Sequence, residues 1–147
     1  MFIEIQDRTP ELIEQLVALW EGSVKATHHF LSDAEIAAIK PYVPQGLTAI
    51  PHLVIAKEGE NPTAFMGIAE GKLEMLFVAA DQRGKGIGKA LLQKGIRDYG
   101  VRELAVNEQN PQARDFYQHL GFEVYQRNEL DEQGNPYPIL LMRLKSG

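Results

Sequence analysis

Asp81-Gln82-Arg83-Gly84-Lys85-Gly86-Ile87-Gly88-Lys89-Ala90-Leu91-Leu92 is the stretch on which the fold turns. Before it, Leu73-Glu74-Met75-Leu76-Phe77-Val78 is apolar and too short for a typical helix, so it reads as a strand. After it, Ile87, Leu91 and Leu92 fall on one helix face, with Lys89 and Lys94 turned elsewhere. Strand, glycine loop and helix bring successive backbone N–H groups and a positive helix terminus to one place, where an anion is received. A phosphate or pyrophosphate is the anion expected. A tight turn with close helix packing would use the same glycines.

Working outward toward the N-terminus, residues 52–56 and 63–68 read as strands joined through Glu58-Gly59-Glu60-Asn61-Pro62. Glu70-Gly71-Lys72 then turns into the central strand, completing an antiparallel meander. Further upstream, Phe2-Ile3-Glu4-Ile5 alternates as a short strand, and Thr9-Pro10-Glu11 starts a helix with a hydroxyl cap and a proline. Its stripe of Leu12, Leu16, Leu19 and Trp20 predicts a helix to about Gly22 or a little past it. Ser32-Asp33-Ala34-Glu35 is a capping box for a second helix that stops by Pro41. Residues 41–51, with three prolines and a glycine, are expected to be irregular or to hold a short helical piece.

Toward the C-terminus, Gly100 closes the central helix and residues 101–106 form a strand parallel to the central one and beside it. Asn110 and Pro111 open a helix with Ala113, Phe116, Tyr117 and Leu120 on one side, ended by Gly121. Residues 122–125 and 137–142 are strands about a turn at 131–135, with Pro138 near a strand start. The sum is an α/β (α+β) chain: a mixed, mostly antiparallel sheet of six or seven strands and about four helices. With no repeat or linker, residues 1–147 read as one domain.

Composition narrows the function classes. A net charge of -5 argues against nucleic acid as the main partner. The chain has no cysteine, which excludes disulfides, thiolate nucleophiles and cysteine metal sites. No apolar run reaches membrane-spanning length, so no membrane partner is expected and a cytoplasmic location is the default. A P-loop would need a hydroxyl residue after Lys89, where Ala90 stands. A dinucleotide fold would place its glycines after an early first strand within a doubly wound pattern, and here they follow a meander in mid-chain.

Gln82-Arg83-Gly84-Lys85-Gly86-Ile87-Gly88 resembles the acyl-coenzyme A pyrophosphate loop of the GNAT N-acetyltransferase superfamily. Asn107, Asn110, Ala113, Phe116-Tyr117 and Gly121-Phe122 resemble that family's second motif segment, and the order of elements agrees along the whole chain. Residues 27–31, 106–110 and 134–138 are similar to the small bacterial acetyltransferases of the YjaB type. The resemblance implies the GNAT fold, acetyl-CoA as donor, and a primary amine as acceptor, either a protein lysine or a small molecule. Transfer would be direct. A non-catalytic acyl-CoA-binding or sensing module on the same fold is the alternative, and it would need neither Tyr117 nor a base. Monomer and homodimer both fit.

On that resemblance, Arg83, Gly84, Lys85, Gly86, Ile87, Gly88 and Lys89 hold the pyrophosphate, and Leu76, Phe77 and Val78 offer backbone groups to the pantetheine arm. The oxyanion is held by a backbone N–H near Val78. Asn107, Asn110, Ala113, Phe116 and Tyr117 flank the thioester, although Asn110 would also serve as a plain helix cap. Tyr117 is expected to protonate the leaving thiolate, its other role being a core tyrosine on a helix face. Glu74 leads as the base for a protonated acceptor. Thr27, His28, His29 and Phe30 would form the acceptor wall, with His28 and His29 the other option for the base. Adjacent histidines with no third ligand at usual spacing predict no metal.

Overall fold

The structure is a computed structural model and describes residues 2–145. Its elements in chain order are β1 (Phe2–Glu4), α1 (Pro10–Thr27), α2 (Asp33–Ile39), α3 (Val43–Ala49), β2 (His52–Glu58), β3 (Asn61–Ala69), β4 (Lys72–Val78), α4 (Ile87–Tyr99), β5 (Glu103–Asn107), α5 (Pro111–His119), β6 (Phe122–Asn128) and β7 (Ile139–Leu144). The strands form one sheet in the order β1-β2-β3-β4-β5-β7-β6, parallel only between β4 and β5.

The expected caps are in place. Thr9 Oγ1 accepts from the Leu12 N–H at the start of α1, and Ser32 and Glu35 exchange both bonds of the capping box at α2. Each such cap stabilises its helix by about 1 kcal/mol. One expectation is corrected. Helix α1 runs five residues beyond Gly22, because Ser23 and Val24 continue its buried stripe, and that burial outweighs the modest cost of a helical glycine. Residues 40–49 hold the short helical piece expected there: one turn of 3₁₀ helix leads into α3, one of five α-helices among the described residues.

Strand alternation sends the apolar side chains to two faces. Leu53, Ile55 and Phe65 pack with Leu16, Trp20 and Leu47 beneath α1 and α3. On the opposite face Val54, Met66 and Ile68 pack with Leu91, Leu92 and Leu104 beneath α4. Helix α4 lies close to the sheet at Gly95, where a Cβ would come within 3.1 Å of Met66 Sδ.

One register shift positions the site. On β4, Met75 and Phe77 face α1, while Leu76 and Val78 face α4 and α5. Leu73 should therefore share the face of Met75, yet it is buried with Leu76 and Val78. The reason is a bulge: Ile68 of β3 pairs Leu73 and Gly67 pairs Met75, leaving Glu74 as the extra residue.

Candidate active site

The bulge coincides with the end of the β4–β5 ladder. These strands pair only through Lys72 with Glu103 and Leu73 with Leu104, then part. The Ala79 N–H bonds to Thr63 O, so antiparallel alternation turns the backbone groups of Leu76 and Val78 away from β3 and into the opening. Across the gap, the Glu108 N–H bonds to Pro138 O, which by the same alternation turns the backbone of Ala105 and the N–H of Asn107 into it, the Asn107 carbonyl being taken by the Asn110 N–H at 3.0 Å. Two strand edges thus present unmatched donors and acceptors to one wedge. A linear ligand carrying amide groups satisfies them.

A cleft of about 510 Å³ occupies the wedge and reaches the glycine loop. Gly84 and Gly86 have φ values of 81° and 80°, a conformation other residues enter at a cost. A Cβ on either would meet nothing within 4 Å, so it is the backbone, not crowding, that calls for glycine there. Gly86 is also the N-cap of α4 and supplies no side-chain cap. The first intrahelical bond runs from the Ala90 N–H to Gly86 O, which leaves the N–H groups of Ile87, Gly88 and Lys89 for an outside acceptor. Arg83 and Lys89 line the same end of the cleft. Gly88 is different: its Cβ would lie 3.4 Å from Val78 Cγ2 and 3.6 Å from Phe116 Cζ, so it lets helix, strand and α5 meet.

Helix α5 forms the opposite wall, begun by Asn110, whose side chain accepts from the Ala113 N–H at 3.2 Å. Tyr117 lies edge-on to Phe116 and Phe122, with ring centroids 5.2 Å and 6.2 Å away. Burial pushes its phenol well above the ordinary value, so it is protonated throughout the neutral range. The Tyr117 hydroxyl has no hydrogen-bond partner among the described residues, and the residue lines the cleft. That is a proton donor without an internal acceptor.

A second cavity of about 240 Å³ meets the first at the wedge, sharing Leu73, Glu74, Ala105, Val106 and Asn107. Its remaining wall carries Lys72, Asp131, Glu132 and Gln133. Lys72 Nζ lies 3.2 Å from Glu132 Oε1 and 3.8 Å from Glu74 Oε1. Partial burial works against the Lys72 ammonium, but Glu132, Glu74 and Glu103 together hold its proton more tightly than usual. Carboxylates outnumber the one cation there.

A family model described as an acetyltransferase (GNAT) domain matches residues 21–144. The chain belongs to the GNAT acetyltransferases. Peptidyl-lysine N-acetyltransferase YjaB of Salmonella typhimurium is 39% identical to this GNAT chain over 140 residues, covering 95% of it and 97% of the relative. YjaB of Escherichia coli is 38% identical, covering 95% of each. The solution structure of the apo form of that E. coli protein matches with a TM-score of 0.87 at 34% identity, over 100% of this chain and 99% of that one. The PaiA N-acetyltransferase of Thermoplasma acidophilum, solved with coenzyme A, shares the fold at a TM-score of 0.71 and 21% identity over 99% of this chain. The GNAT chain is an acetyl-CoA-dependent N-acetyltransferase, as the resemblance of its motifs implied.

Of the residues singled out from the GNAT sequence, Leu76, Phe77, Val78, Arg83, Gly84, Gly86, Ile87, Gly88, Lys89, Asn107, Asn110, Ala113, Phe116 and Tyr117 all line the cleft, as do Glu74, Thr27 and His28. Lys85 does not; its ammonium donates to Gln82 Oε1 at 3.1 Å. His29 is exposed, and Phe30 packs against Tyr137, with ring centroids 6.0 Å apart, instead of facing the cleft. Gln82, quoted as the first residue of the loop motif, lines the cleft as well; Ser23 and Gln112 line the cleft, and Asp131, Glu132 and Gln133 line the second cavity, without having been singled out. For Ser23 a signal existed: continuing the helical spacing past Gly22 puts Ser23 and Thr27 on one face.

Proposed function

We propose that this N-acetyltransferase acetylates lysine side chains of proteins or peptides, with acetyl-CoA entering by the glycine loop and lysine by the acidic second cavity. The observation that carries this reading is the meeting of the two cavities at the β4–β5 wedge. One arm ends in unfilled N–H groups suited to a pyrophosphate, and the other in carboxylates suited to an ammonium. The relatives named as peptidyl-lysine acetyltransferases support the same acceptor class.

In this reading the backbone of Leu76 and Val78 orients the acyl group, and the free N–H of Val78 faces the carbonyl oxygen as charge develops on it. The amine nitrogen attacks the thioester carbon directly, the C–S bond breaks, and Tyr117 gives the departing sulfur its proton. The burial that raises the phenol's proton affinity also penalises an unprotonated thiolate beside it, so the two remain matched as donor and acceptor. His28 and Glu74 are the groups placed to take a proton from the acceptor.

The test is acetylation of an N-terminally blocked lysine peptide against polyamines and aminoglycosides, followed by free-thiol release, for wild type and Tyr117→Phe. The peptide should be the better acceptor. Because its hydroxyl has no protein partner, Tyr117→Phe should fold and bind acetyl-CoA normally while kcat falls roughly 10²-fold. Unchanged turnover in Tyr117→Phe would remove the acid assignment, and a preference for small amines would remove the lysine assignment.

A further inference from the structure

The last turn of α1 ties Thr27 and His28 together in one direction. Thr27 Oγ1 lies 2.8 Å from the Ser23 carbonyl oxygen and 2.8 Å from His28 Nδ1. A carbonyl only accepts, so the single hydroxyl proton of Thr27 goes to Ser23. His28 Nδ1 must then donate to Thr27 Oγ1. The ring proton therefore sits on Nδ1, and the lone pair is left on Nε2, which has no hydrogen-bond partner among the described residues.

The ring so fixed lines the cleft. It packs between Phe30, with centroids 5.5 Å apart, and Phe77 of β4, at 6.5 Å. We infer that His28 takes the proton from the incoming ammonium through Nε2, and that Thr27, by fixing the ring tautomer, is the positioning residue for that step. This rests on the reading of the cleft as the site where a cationic amine is acetylated.

The protons balance. One N–H bond of the ammonium breaks and an N–H bond forms at Nε2, giving an imidazolium protonated at both nitrogens. The freed lone pair forms the C–N bond and the C–S bond breaks. Sulfur takes the Tyr117 proton, the second proton of the former ammonium replaces it on the phenol, and His28 releases its own to solvent.

The surroundings of His28 suit this role. Burial lowers its proton affinity below the ordinary histidine value and neighbouring His29 pushes the same way, so the ring is neutral and ready to accept at pH 7. Among the described residues His29 is the only ionisable group that acts on it; the faces packed against it from β4 and from the α1–α2 connection are Phe77 and Phe30. Glu74 is less suited to the transfer, because its half-exposed carboxylate already faces the Lys72 ammonium. It holds negative charge where the substrate amine enters.

Two measurements test the inference. Long-range ¹H–¹⁵N correlation of the imidazoles in the full chain should show His28 protonated at Nδ1. Thr27→Val should release that tautomer and Thr27→Ser should restore it. In pH profiles of kcat/KM with acetyl-CoA and an N-terminally blocked lysine peptide, His28→Gln should lose roughly 10²-fold at pH 7 with acetyl-CoA affinity unchanged. The deficit should shrink toward pH ~10, where a lysine amine begins to lose its proton unaided. Protonation at Nε2 in the wild type would overturn the proposal, as would a His28→Gln deficit that stays the same from pH 7 to pH ~10. Failure of the wild type to acetylate any amine would overturn the transferase reading and the base role together, and the tautomer spectrum distinguishes that from a wrongly assigned ring.

Discussion

Leu73 faces Leu104 across the last parallel pair of β4 and β5, and the next residue, Glu74, is the extra residue of the bulge against β3. The same residue therefore ends one ladder and shifts the other, which opens the wedge and leaves its own carboxylate at the rim of both cavities. Glu74→Gln keeps the length of the bulge and removes only the charge. Its ion pair with Lys72 is half-exposed, so stability should change by less than about 0.5 kcal/mol. The KM for a lysine peptide should rise roughly three- to tenfold with kcat little changed, because attraction to the ammonium is lost while the proton acceptor remains. Steady-state kinetics at low and moderate salt checks this, and the difference should narrow as salt screens the charge.

Gly86 shares the left-handed backbone of Gly84 and is also the residue that caps α4. Its φ of 80° disfavours any side chain, and it caps α4 where the N–H groups of Ile87, Gly88 and Lys89 stand open. Gly86→Val should rotate those donors and place branched carbons among them. The expected outcome is a folded protein whose acetyl-CoA Kd rises at least tenfold by calorimetry. Gly59→Ala, in a distant turn with φ 62°, bears a similar backbone strain and should leave that Kd unchanged.

Legibility followed the range of the determinants. The loop at 83–88, the caps at Thr9, Ser32 and Asn110, and the pairing of β4 with β5 rest on residues close together in sequence, and all were readable. The wedge has no such local signal, since the bulge carries neither glycine nor proline at Glu74 and comes from pairing with β3. Gly22 misled for a related reason: glycine is a local stop signal, and what carries α1 past it is burial of Val24 against elements far along the chain. Residues 131–133 were legible as a turn but not as a cavity wall. Their place depends on β7 lying between β5 and β6, which brings the connection back over the wedge.

Arg8 makes the least legible contact of all. Its guanidinium donates to the carbonyls of Ile5, Leu47, Thr48, Ile50 and Pro51, gathering the frayed end of α3 and the entry to β2. A planar fork with a delocalised charge suits several carbonyls at a helix C-terminus. Arg8→Met keeps much of the stem and should lower unfolding free energy by about 2 kcal/mol in urea titrations. Arg8→Lys should recover less than half of that, since one ammonium cannot reach the same set.

On the sheet edge away from the cleft, the Tyr99 hydroxyl donates to Glu4 Oε1 at 2.6 Å, and His52 Nδ1 lies 3.1 Å from Glu4 Oε2. The hydrogen bonds from Tyr99 and then His52 hold the Glu4 carboxyl below its usual range. Burial, followed by the bond to Glu4, pushes the Tyr99 phenol up to about 12. The signs give two windows. A phenol raised in the folded state contributes stability that is whole below pH ~10 and is lost as pH climbs toward its folded value. A carboxylate lowered in the folded state contributes stability that is present above pH ~4.5 and fades as pH falls through its folded value. Tyr99→Phe should therefore narrow its stability gap to the wild type at strongly alkaline pH, and Glu4→Gln should narrow its own at acid pH. Denaturant midpoints measured across pH 3–12 check both. The phenolate absorbance change at the alkaline end should lose one phenol's amplitude in Tyr99→Phe, and a wild-type titration complete by pH ~11 would mean that Tyr99 does not hold Glu4 in solution.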